Sequence, residues 1–165
     1  MDLKSINELN DLDALDLFRK CCGSDAWVKK MVGARPFASE QELSDRAEQS
    51  FNDLTRADWM DAFAAHPKIG DIKSLKEKYG STKNWAENEQ AGAHGISDEV
   101  AQDLASSNEE YFRKFGYIFI VCATGKTADE MLSMLKVRLN NDSDNELPIA
   151  AGEQKKITYL RLGKL

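Results

Sequence analysis

The sequence predicts an all-α chain, a single compact multi-helix domain spanning residues 1–165. Three observations carry that expectation. Apolar residues recur at three- and four-residue intervals along most of the chain. Helix-capping residues stand in front of most of those stretches. The single continuous run of β-branched and aromatic residues has no second run to pair with as a sheet. With 165 residues the chain can bury about two thirds of its unfolded surface, so it needs no staples.

Taken in order, Leu15, Phe18 and Cys22 share a helical face and Gly23 supplies a stop. Trp27, Val28 and Met31 form a second short helix that ends before Arg35-Pro36, because a proline disfavours helical backbone at the residue before it. Ser39 with Glu42 makes a capping box that opens a third, with Leu43, Ala47, Phe51 and Leu54 as its stripe. Thr55 caps a fourth, which carries Trp59 and Phe63; Pro67 ends it and leaves His66 at the break. Asp71 to Tyr79 reads as a short amphipathic helix closed by Gly80, and another runs from about Lys83 through Glu89 to Ala93. Ser97 starts the next, with Val100, Leu104, Tyr111 and Phe115 on one face and Gly116 as its stop. The run Tyr117-Ile118-Phe119-Ile120-Val121-Cys122-Ala123 reads as fully buried, an extended core segment between helices. Thr127 with Glu130 opens a helix through Met131, Leu135 and Leu139. Ser143 with Glu146 opens the last, which runs nearly to Leu165; Pro148, just past its first turn, predicts an imperfect start. No internal repeat, low-complexity tract or linker interrupts the chain.

Charge and composition exclude several function classes. The net charge is −6, and the small basic clusters Lys29-Lys30 and Lys155-Lys156 read as solvated helix faces. A nucleic-acid partner needs a dense basic stripe, so none is expected. No apolar run reaches the roughly 18 residues of a membrane span. The three cysteines, two of them adjacent, fit no disulfide framework and suit a reducing cytoplasm. Gly163-Lys164-Leu165 approximates a peroxisomal Ser-Lys-Leu signal, with Gly in place of Ser.

Few residues can carry chemistry. There are two histidines, and no Cys-x-x-Cys, His-Glu-x-x-His, Gly-x-Gly-x-x-Gly or Walker spacing, so neither a metal nor a nucleotide cofactor is expected. His66 suits two roles: a cation at the negative end of a helix dipole, or a general acid/base with a pKa near neutrality. His94, between Ala93 and Gly95, reads as a surface turn residue. Glu89 shares a helical face with Trp85 and Gly92; it is either a surface acid or a partly desolvated proton donor, with Gln90 beside it. Arg161, between Leu160 and Leu162, is either a snorkelling surface residue or a fork for a carboxylate. Cys122 reads as an inert core thiol.

Four motifs occur in order: His66-Pro67-Lys68-Ile69-Gly70-Asp71, Glu89-Gln90-Ala91-Gly92, Phe115-Gly116-Tyr117 through Thr124-Gly125-Lys126, and Glu153-Gln154-Lys155-Lys156-Ile157-Thr158-Tyr159-Leu160-Arg161-Leu162. Together they resemble 2-oxo-4-hydroxy-4-carboxy-5-ureidoimidazoline (OHCU) decarboxylase, the last enzyme in conversion of urate to allantoin, over nearly the whole chain. The resemblance implies an all-helical homodimer that acts on OHCU without a cofactor. It implies His66 and Glu89 as the catalytic pair. It implies Pro67, Gln90, Arg161 and the backbone of Ile118, Phe119, Ile120, Val121, Cys122 and Ala123 as substrate contacts. The family often has a contacting Ser three residues before the Glu, where this chain has Ala86. Two other classes compete: a helical binding module, and a thiol enzyme pairing Cys122 with His66.

Overall fold

Side-chain caps decide where the helices begin, because the first backbone N–H groups of a helix have no partner within it. The computed structural model describes residues 1–67 and 97–165. The helices expected at Asp71 to Tyr79 and Lys83 to Ala93 lie outside the described residues. Asp2 caps α1 (Leu3–Glu8) and Asn10 caps α2 (Asp11–Cys21). Ser24 caps α3 (Asp25–Gly33), Ser39 caps α4 (Glu40–Phe51) and Thr55 caps α5 (Arg56–Ala64). Ser97 caps α6 (Asp98–Phe115) and Thr127 caps α7 (Ala128–Arg138). The last helix, α8, is Ser143–Leu162. No strand occurs among the described residues, as the all-α expectation requires.

Some caps differ from the expected pattern. Thr55 and Asp58 form a reciprocal box. Glu42 reaches back instead to the Ala38 N–H, one residue before Ser39. At α8 the cap is Asp142, whose Oδ1 accepts the Asn145 N–H at 2.8 Å. Ser143 is therefore the first helical residue rather than the cap, because the Glu146 carboxylate is drawn inward to Arg138. Pro148 lies inside a continuous α8. Only the bond its missing N–H would make to Asp144 is lost, and that lies near the helix start.

The described residues divide into two compact units, Met1–His66 with Ala151–Leu165, and Pro67–Ala150. In the first unit α3 packs against α2, α4 and α5. Its core is aromatic: Trp27 stacks on Phe51 at 5.4 Å between centroids, Phe51 on Trp59 at 5.5 Å, and Phe18 meets Trp27 edge-on. The buried Trp27 indole donates to the Ala47 carbonyl at 3.1 Å, so its polar atom is satisfied. Gly23 owes its identity to space. Its φ is not among the positive ones, but a Cβ there would stand 2.3 Å from Ala65 Cβ.

In the second unit α6 packs on α7, with Leu104, Tyr111, Phe115, Met131 and Leu135 buried. Gly116 closes α6 in the left-handed conformation at φ 81°, its N–H bonded to Phe112 at 2.9 Å. The segment from Tyr117 to Ala123 is irregular, neither helix nor strand, and it is not fully buried. Tyr117, Ile120 and Cys122 are buried, while Ile118, Phe119, Val121 and Ala123 are half-buried. A continuous apolar run cannot separate these cases, since non-regular backbone gives each side chain its own direction.

Candidate active site

His66 sits where α5 stops. Ala65 is the C-cap, and the His66 N–H still bonds back to Phe63 at 3.2 Å, so the imidazole leaves the helix at a defined angle. Gly23 lets the α2–α3 turn approach the Ala65 side of this corner without a clash. Pro67 follows as an exposed residue.

The ring of His66 is held from α8. Its Nε2 lies 2.7 Å from Oε1 of Gln154, a residue with no exposed surface. Gln154 Nε2 donates to Thr158 Oγ1 at 3.3 Å, and Thr158 Oγ1 donates to the Gln154 carbonyl at 2.9 Å. Gln154, Thr158 and Arg161 fall at intervals of four and three along α8, so they line one face. Arg161 is exposed, and its Nη1 donates to the carbonyls of Lys20 and Cys21 at 3.3 and 3.5 Å. Its cation thus meets the negative end of the α2 dipole. Only Nη1 enters these bonds.

Burial pushes the Cys21 thiol up to about 11, and raises that of Cys22 beside it, so neither serves as a nucleophile near neutrality. On α8 the phenol of Tyr159 hydrogen-bonds the Glu48 carboxylate, which holds Glu48 below its ordinary range with help from Lys155.

In the second unit Arg138 organises the segment that was expected to meet substrate. Its Nη1 donates to the Ile120 carbonyl at 2.6 Å, its Nε to Glu146 Oε1 at 2.6 Å, and its guanidinium lies over the Phe119 ring at 4.5 Å. Tyr111 donates to the same Glu146 oxygen at 2.6 Å and Asn141 to the other at 2.9 Å. Burial, then the bond to Glu146, pushes the Tyr111 phenol far above its usual range. Lys126 donates to the Cys122 carbonyl at 2.7 Å, and the Ala123 carbonyl accepts the Lys126 N–H at 3.0 Å. Three carbonyls of the segment are therefore engaged within the unit, which fixes its course.

Of the expected site residues, His66, at the end of α5, and Arg161, on α8, lie in the first unit, and Ile118 to Ala123 belong to the second. Glu89, Gln90, Ala86 and His94 lie outside the described residues. Cys122 has a buried side chain. Among the described residues no group of three His, Cys, Asp or Glu is placed to hold a metal. No described helix is long and apolar enough to cross a membrane. Three residues that order these side chains leave little trace of that role in the sequence. Gln154 and Thr158 carry a weak signal, the four–three spacing that ends on Arg161. Arg138 carries almost none, since an arginine in a last helical turn reads as a dipole partner.

Comparison with known proteins adds a family. Residues 7–163 match the family model described as OHCU decarboxylase. The chain is 39% identical over 150 residues to the uric acid degradation bifunctional protein TTL of Arabidopsis thaliana, covering 91% of this chain and 46% of that one. It thus spans about half the length of that relative. It is 29% identical over 165 residues to the 2-oxo-4-hydroxy-4-carboxy-5-ureidoimidazoline decarboxylase of Xenopus laevis, covering 98% of this chain and 93% of that one. A crystal structure of OHCU decarboxylase in the presence of (S)-allantoin aligns with a TM-score of 0.73 at 40% identity, over 90% of this chain and 96% of that one.

Proposed function

The chain belongs to the OHCU decarboxylase family, and from that premise we propose that it removes the carboxyl group of OHCU as carbon dioxide and releases (S)-allantoin. One observation carries the placing of the chemistry: the histidine of the family motif stands at the end of α5 with its imidazole anchored to buried Gln154. A histidine with a fixed ring is what a proton-transfer step requires.

The reaction needs no borrowed electron sink. The substrate carries a carboxylate and a hydroxyl on one ring carbon, and the neighbouring ring carbon is doubly bonded to nitrogen. When the carbon–carboxylate bond breaks, its electron pair forms a double bond between the two ring carbons. The electrons of the former imine move to nitrogen, which takes a proton. The resulting enol gives up its hydroxyl proton to become a carbonyl, and the neighbouring carbon accepts a proton. Carbon dioxide leaves and one proton is taken up overall. His66 would take or hold the hydroxyl proton, and Glu89 would bond the ring nitrogen as charge builds there. Arg161, with Pro67, Gln90 and the backbone from Ile118 to Ala123, would orient the anionic and ureido groups. Protonation on one face gives one enantiomer. This route uses no cofactor.

Chiral detection of allantoin after urate oxidation and ring hydrolysis tests the reading. With the protein present, (S)-allantoin should form quickly and alone. Slow racemic product at the same rate with and without the protein would sink it.

The active form is a homodimer in the cytoplasm. Buried, unpaired thiols at Cys21, Cys22 and Cys122 suit a reducing compartment. Light scattering should return twice the 18.5 kDa chain mass. A stable monomer mass at micromolar concentration would refute the dimer.

A further inference from the structure

We propose that Gln154, itself oriented by Thr158, is a positioning residue that fixes the ring direction of His66 and holds a proton on its Nε2. This rests on the role of His66 given above.

The argument is one of donors and acceptors. A neutral imidazole has one N–H and one lone pair, and its neighbours decide which nitrogen keeps the proton. Gln154 Oε1 offers lone pairs only, at 2.7 Å from Nε2, so that nitrogen must donate. The amide could in principle be turned end for end. Its other end faces Thr158 Oγ1 at 3.3 Å, and that hydroxyl spends its single hydrogen on the Gln154 carbonyl at 2.9 Å. The hydroxyl can then only accept, so the group facing it is the amide NH2. Oε1 is left for the histidine. Gln154 and Thr158 have no exposed surface, so water does not substitute for either partner. The pair is also remote in sequence, 88 residues apart, and so ties the α5 corner to α8. A fixed tautomer matters because the wrong one presents an N–H where a base is required.

Nitrogen-15 spectra of histidine-labelled protein read the tautomer directly, with His66→Asn separating its signals from those of His94. The wild-type ring should show a protonated Nε2. Gln154→Met, similar in size but unable to accept, should release the ring into a mixture of tautomers. It should lower kcat by about 10- to 100-fold, the usual cost of losing a partner that orients a histidine, with little change in KM. Gln154→Glu keeps an acceptor and should preserve the Nε2 proton and more of kcat than the Met variant. A wild-type ring with an unprotonated Nε2 would overturn the proposal, as would a folded Gln154→Met with unchanged ring protonation and kcat. If the Met variant does not fold, the wild-type spectrum and the Glu variant decide. A wild-type protein that lacks decarboxylase activity sinks the functional reading and leaves the tautomer test standing.

Discussion

His66→Asn should remove chemistry and leave the fold. The ring is half-buried, and the helix end it follows is held by the backbone bond to Phe63, which asparagine keeps. Asparagine cannot exchange a proton near neutrality, so turnover should fall at least about a hundredfold, the scale of a lost acid/base group. Glu89→Gln should lose most activity in the same assay, since a neutral amide can neither carry the charge nor pass the proton. Circular dichroism beside turnover separates chemistry from unfolding; near-normal turnover by a folded His66→Asn would end the assignment. At this scale the sequence is readable where a residue interrupts a pattern. His66 stands at a proline-broken helix and Arg161 between two leucines, and both can be picked out. Gln154 is marked only faintly, by its spacing to Arg161, because a glutamine inside a helix looks like any solvated position until the fold brings a partner from 88 residues away.

Helices and turns carry the next set of constraints. Gly23→Ala should destabilise the protein by roughly 1–3 kcal/mol, because the new methyl would meet Ala65 Cβ and neither can swing aside. The shift is taken up at the Ala65–His66 corner, so kcat should fall along with the urea midpoint. An unchanged midpoint would show that the turn opens freely. Arg138→Met should cost about 3–5 kcal/mol, since it leaves the Glu146 carboxylate buried without its cation. It should also speed amide exchange from residue 117 to residue 123, whose course Arg138 sets through Ile120 and Phe119. Unfolding with no loss of midpoint would refute this. Capping residues make helix starts legible, because a side chain and the N–H it accepts are three residues apart. Inward-facing partners are not legible. Glu146 reads as half of a capping box and turns out to answer Arg138. Gly23 reads as a helix stop, yet it is needed because another helix end comes close.

For the molecule as a whole, pH exposes the cost of burying thiols. Cys21 ionises at an ordinary value of 9.0 and only at about 11 when buried, and Cys22 shifts in the same direction. The contribution of Cys21 to stability is complete below about pH 9 and drains away as pH rises through about 11, because the unfolded chain loses that proton first. Urea midpoints across that range should fall, and Cys21→Ala should flatten the decline; a flat wild-type curve would contradict the burial argument. The all-helical class is legible from periodicity alone, which is a local property. The division into units is not, because the first is assembled from residues 1–66 and 151–165, separated by the whole of the second. That arrangement has a kinetic consequence. Contacts distant in sequence repay the entropy of loop closure only once they form. The His66–Gln154 bond closes a loop of 88 residues, so the imidazole acquires its orientation only when both stretches of the first unit have met.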